Sequence, residues 1–262
     1  MNLSASFRYQ ISREKKGIFI YYCVWVGLVV LMTLLTSLFS LLRPEEHSVG
    51  SIVLMNGDTA ATAIFAFVAG LCAFKENFAM FLQNGVSRKS LFFGRLCTAA
   101  ACCLLMAAAD ECITEITRLV GRLPGIEAAA EPLIVGIYRG DPILMNPFAR
   151  VALSIGYDFF LLLFASGLGY FITTLYYRLN TPGKVAVSVG VPAFFIVGVP
   201  ILKMLRDHFH LEQLYYAAAE AIVKLARFLF GTPLAAMMTY FAMFAVVSAF
   251  AWLLIRRAAL KK

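Results

Sequence analysis

Phe74 to Leu96, FKENFAMFLQNGVSRKSLFFGRL, is polar and basic, yet it lies between two apolar runs long enough to cross a bilayer. That contrast decides the fold: the stretch reads as the inner joint of a membrane protein. Phe74, Phe78, Phe81 and Leu82 fall at helical spacing, with Lys75, Glu76 and Asn77 off the apolar face, which predicts a short amphipathic helix. Asn84-Gly85 ends that helix. Ser87 is a suitable N-cap for the next one, and Val86 and Leu91 stand where a hydrophobic staple packs across the cap. A helix, a tight turn and a basic restart make a rigid knob.

The flanking composition agrees. Of 262 residues, 61% are apolar and only 15% charged, far outside the range of an ordinary soluble domain. The net charge of +8 is spread over the ends of apolar runs and forms no dense patch, so nucleic acid is not an expected partner. The six cysteines lie almost entirely inside apolar runs without paired spacing and read as small packing residues.

Outward from the joint, the chain reads as all-α and polytopic, one transmembrane domain over 1–262. Leu3, Phe7 and Ile11 repeat every four residues among Arg8, Arg13, Lys15 and Lys16, which predicts a helix lying in the inner interface over 1–16. About six spans follow, near 17–42, 51–74, 91–109, 148–177, 185–202 and 233–255. The first is too long for a signal peptide and lacks a small-residue cleavage pattern, so it reads as an uncleaved anchor. Arg43-Pro44-Glu45-Glu46-His47 stops it. Arg95, one turn into the third span, is expected to snorkel back to the inner surface.

From Asp110 to Pro147, acids beginning with Asp110 and Glu111, together with prolines and glycines, mark an outer segment with one or two short helices. Asn180-Thr181-Pro182-Gly183 is a strong turn signal between the fourth and fifth spans. Pro192 and Pro200 should kink or unwind the fifth. Leu211 to Phe230 could cross by length. However, a central Glu220 and Lys224 would cost roughly 2.5–3.5 kcal/mol each, while its eight Leu, Ile, Val and Phe residues return only about 0.5 each. A surface helix is preferred. Both termini then face the cytoplasm, and the inner segments hold most of the basic residues with only Glu14 and Glu76 as acids, as the positive-inside rule requires.

Gln83 to Lys89, QNGVSRK, with the aromatic restart Leu91-Phe92-Phe93, resembles the loop after the second span in permease subunits of type-2 ABC exporters from Gram-positive bacteria. The basic N-terminal segment, chain length and span pattern agree with it. The resemblance implies an elbow helix carrying Leu3, Phe7, Arg8 and Ile11. It also implies a coupling helix in which Phe78, Phe81, Leu82, Gln83, Asn84, Gly85, Ser87, Arg88 and Lys89 contact a separate ATPase subunit. On that reading Phe78, Phe81 and Leu82 offer an apolar face to the ATPase cleft. The implied assembly is two permeases, identical or paralogous, and two ATPases in the cell membrane. It moves amphipathic peptides, drugs or lipid-like compounds, with ATP and Mg held by the partner. The size of the outer segments, which suggests a small cap, is not part of the resemblance.

No GxxxxGK[ST] P-loop occurs, so this chain is not expected to bind ATP alone, and it carries no cofactor or metal pattern of its own. It is not expected to be an enzyme: no serine stands in a GxSxG setting. Asp158 is the one acid expected well inside a span, either lining a substrate path or bracing a subunit contact. Ala66 and Gly70, and Ala165 and Gly169, are spaced for close helix approach. Two other classes stay open: a secondary transporter or channel needing no ATPase, which would want more intramembrane charge than Asp158, and a non-transporting scaffold or sensor.

Overall fold

The computed structural model describes residues 3–42, 51–52, 57–120, 127–128, 131–198, 200–201, 204 and 212–256. It is all-helical apart from a two-residue parallel pairing of Ser51–Ile52 with Glu127–Ala128. Among the described residues three helices are long and apolar enough to cross a membrane: Arg88–Leu119, Pro147–Arg178 and Pro233–Arg256. The Arg43 to His47 stop, His208, His210 and the basic residues Arg257, Lys261 and Lys262 lie outside the described residues.

Helix α1 runs unbroken from Leu3 to Leu42, 40 residues and about 60 Å. The expected separate elbow over 1–16 is therefore corrected. No proline interrupts the run before Pro44, and Gly17 faces Phe65 with room for a side chain, so nothing bends the chain there. Helix α2, Gly57–Cys72, is apolar but has only 16 residues, about 24 Å, and is shorter than the span expected over 51–74.

Helix α3, Lys75–Gln83, is the short helix expected from the aromatic spacing. It stops where Gly85 takes a left-handed φ of 71°, which favours glycine. Helix α4, Arg88–Val120, opens with Ser90 N donating to Ser87 Oγ at 3.2 Å, the N-cap the sequence implies, and Val86 and Leu91 join one apolar cluster beside it. It continues 11 residues past the expected end at Ala109, because nothing from Asp110 to Val120 breaks a helix.

Beyond it lie the five-residue α5, Leu133–Ile137, and a 3-10 turn, Pro142–Met145. Asn146 then caps α6, Pro147–Arg178, accepting from Phe148 N at 3.1 Å. Helix α7, Thr181–Ala193, passes Pro192 into a π-helical turn at Phe194–Gly198, the local unwinding that a proline in a span produces. Helix α8, Glu212–Phe230, is exposed from Tyr216 to Phe228 apart from Ala219. Helix α9, Pro233–Arg256, closes the described chain.

Helix α6 is the hub, packing on α2, α4 and α9, while α1 packs on α4. The small-residue pairs explain the tightest contact. A Cβ on Gly70 would stand 2.2 Å from the Ser166 carbonyl oxygen, and one on Gly169 2.2 Å from that of Phe67, so α2 and α6 touch backbone to backbone. Thr173 Oγ1 donates across the same contact to the Leu71 carbonyl at 2.7 Å. A small apolar cluster also caps the end of the bundle away from α3. Ile134 and Leu144 bury against Tyr157 and Ala236. Tyr138 donates to the Phe230 carbonyl at 2.9 Å, and burial raises its phenol above the usual range.

Candidate functional site: a knob and two polar layers

The knob at the α3 end does not present its rings outward. Phe78 is fully buried and Phe81 only 6% exposed, packed with Phe74, Phe92, Tyr170 and Ile255. Phe74 and Phe78 stack at 4.9 Å, and Tyr177 meets both rings edge-on. Tyr9 of α1 meets Phe81 edge-on at 5.6 Å. The expected apolar docking face on Phe78 and Phe81 is thus corrected: α6, α9 and α1 cover it, because aromatic rings facing a bundle gain more by burial there. Leu82 is half-buried. Gln83, Asn84, Gly85, Ser87 and Lys89 form the exposed tip. Arg88 donates to the Arg256 carbonyl at 2.8 Å, tying the tip to the end of α9.

One helical turn or two above the knob lies the first polar layer. Arg95 is 3% exposed rather than snorkelled to the surface. Its guanidinium pairs with Glu14, donates to Ser166 Oγ at 3.1 Å and lies 5.8 Å from the centre of the Tyr170 ring. Buried charge persists only with such partners, and here they come from two other helices, α1 and α6. Residues Ser6, Gln10 and Glu14, spaced by four, form the α1 face that reaches this layer. Ser6 and Gln10 are buried, and Gln10 donates to Ser6 Oγ at 3.1 Å. Phe7 and Ile11 are only half-buried and Arg8 is exposed; the side chain of Leu3 lies outside the described residues.

Fifteen residues along α4 from Arg95, about 22 Å, comes the second layer. Asp110 is 1% exposed and Glu111 is 3% exposed, so both acids face the bundle and do not begin a solvated segment. Tyr22 donates to Asp110 Oδ1 at 2.7 Å, and Tyr21 and Thr62 share a hydrogen bond of 2.9 Å beside it. Asp158, equally buried, accepts from Thr59 Oγ1 at 3.3 Å, so two threonines one turn apart on α2 serve this layer. Glu111 lies near Ser154 and within electrostatic range of Arg118 and Arg150, and its Oε1 and the Ser154 Oγ both lack a hydrogen-bond partner among the described residues. Those two arginines both reach Glu115.

Between the layers the packing is apolar, with Ala66, Ala99, Cys103, Leu162 and Leu163 buried together. Since about 22 Å is less than the roughly 30 Å of a hydrocarbon core, both layers fall within membrane depth if α4 crosses upright. Sequence reading found Asp158 but missed Arg95's burial and both acids of α4. The signal was present: Ala99, Cys103, Met106 and Asp110, spaced four, three and four, continue one buried helical face. Among the described residues no group of acids, histidines and cysteines is arranged to hold a metal. No protein-family model, curated protein or solved structure matches the chain.

Proposed function

We propose that the chain is the membrane subunit of a type-2 ABC exporter, crossing the cell membrane about six times with both termini cytoplasmic. A partner ATPase drives it. The observation that carries this reading is the knob. Its tip, Gln83 to Gly85 with Ser87 and Lys89, is exposed, while its buried rings are wedged against α6 and α9. A push on the tip would therefore move the hub helix as a rigid body, because packed aromatic cores transmit displacement. The assembly then needs a second permease copy or paralogue, and the moved compound is hydrophobic or amphipathic.

Copurification from native membranes tests it, with ATP hydrolysis and transport assayed on the same preparation. The expected result is a P-loop-bearing subunit whose hydrolysis continues, but is uncoupled from transport, when residues are inserted at Asn84-Gly85. Absence of any nucleotide-binding subunit, together with normal transport by the insertion variant, would sink the reading.

A second reading, a secondary transporter without an ATPase, gains from one observation. Asp110 and Glu111 join Asp158 as acids enclosed in the bundle, the intramembrane charge that such a carrier needs. Uptake or efflux in ATP-free vesicles, driven by an imposed ion gradient and lost in Asp158→Asn, would favour this reading over the first.

A further inference from the structure

Beside the first polar layer, α1, α2 and α4 enclose a cavity of about 260 Å³. Its two ends differ in chemistry. At the α3 end the wall carries Gln10, Arg13, Glu14, Asn77 and Arg95. Towards the second layer it carries Phe65, Ala66, Cys103 and Met106. Among the described residues the charged groups on the wall are two guanidiniums and one carboxylate, a net positive set. Glu14 is already engaged by Arg95, and Arg13 donates to Asn77 Oδ1 at 3.2 Å. Gln10, 2% exposed, has its Oε1 without a hydrogen-bond partner among the described residues, which leaves a buried acceptor at the same end.

From Arg95 to Met106 the cavity follows α4 for about 16 Å. Ligand pockets for drug-sized molecules start at about 300 Å³, so this space is too small for a two-chain lipid and long enough for one alkyl chain.

The geometry points to a site for a single-chain anionic amphiphile, such as a fatty acid or a monoacyl phospholipid. The head rests against Arg13 and Arg95, the glycerol hydroxyl of a monoacyl phospholipid would donate to Gln10 Oε1, and the tail runs along Ala66, Ala99 and Met106. The charge of the wall favours a carboxylate or phosphate over a cationic head. The apolar far end favours a chain over a free anion. This site does not depend on an ATPase, and its failure leaves the exporter reading standing.

The test is titration calorimetry of the purified chain in phosphatidylcholine nanodiscs with dodecanoic acid and with its uncharged alcohol. The acid is expected to bind saturably near one probe per chain and at least about tenfold tighter than the alcohol, a difference worth about 1.4 kcal/mol. Ala99→Phe, which fills the space, should abolish saturable binding of both. Arg13→Gln, at an exposed position, should weaken the acid several-fold and leave the alcohol unchanged. Non-saturable partition of the acid, or equal affinity of acid and alcohol for the parent, would overturn the site. So would parent-like binding of the acid by Arg13→Gln.

Discussion

The two polar layers of the bundle solve the same problem in opposite ways. At the α3 end a single cation is buried, and its own chain surrounds it with a carboxylate, a hydroxyl and an aromatic face. At the far end three acids are buried, Asp110 and Asp158 held by tyrosine and threonine hydroxyls and Glu111 beside Ser154, with arginines concentrated one turn further out around Glu115. A paired charge is costly to unpair. A carboxyl held by hydroxyls can exchange its charge for a proton at far smaller cost, since its partners serve either form. The first layer therefore reads as a structural clamp on α1, and the second as the place where protonation or a ligand could change the packing.

Removing the cation should break this contrast most. Arg95→Ala strands Glu14 in the bundle and removes the contacts to Ser166 and Tyr170, with an expected loss of about 3–5 kcal/mol. Thermal unfolding in detergent would read it as a large drop in Tm. The paired change Arg95→Met with Glu14→Leu should recover most of the loss, because it removes both charges and keeps the volume. If Arg95→Ala unfolds like the parent, the clamp does not exist.

The contact that joins the layers comes next. Gly169→Val places branched carbons where a Cβ already stands 2.2 Å from the Phe67 carbonyl oxygen, so α2 must retreat from α6. Overpacking of this kind costs about 1–3 kcal/mol. It should also disturb both layers together, since Thr59 and Thr62 ride on α2 and Asp158 and Ser166 on α6. Crosslinking between engineered cysteines at Thr59 and Asp158, and between those at Val68 and Ser166, would fall in parallel. Loss at one end alone would show that the layers move independently.

How much of this was readable in the residues follows the same division. Helices α6 and α9 begin and end within a residue or so of the expected 148–177 and 233–255, because long apolar runs bounded by Asn146-Pro147, Asn180 and Thr232-Pro233 leave little freedom. That α8 is not among the helices apolar enough to cross a membrane follows from its charges, and the knob's turn from Asn84-Gly85 and Ser87. What composition could not supply was which neighbour answers each charge. Glu14 and Arg95 stand 81 residues apart, and only the packing of α1 on α4 joins them. The rings of Phe78 and Phe81 are apolar on either reading, so their spacing predicts a helix but not which body covers it.

The smallest expected effect lies in the second layer and separates its two kinds of partner. Tyr22→Phe removes the hydroxyl that donates at 2.7 Å to Asp110 and at 3.0 Å to the Met106 carbonyl, while leaving the ring in place. Asp110 then loses a donor inside the bundle, where an unmet acceptor is costly, although hydrogen bonds at membrane depth average well under 1 kcal/mol because alternatives are found. A loss of about 1 kcal/mol is expected. Asp110→Asn in the same background should recover part of it, since an amide brings its own donors and no charge to strand. In the parent, Asp110→Asn alone should shift stability by well under the Arg95→Ala change. The readout is Tm for the parent, the two single variants and the double variant at neutral pH, with the coupling taken from the four-way cycle. If Asp110→Asn proves as damaging as Arg95→Ala, Asp110 is a fixed charge with a cationic partner, and the second layer is a clamp like the first.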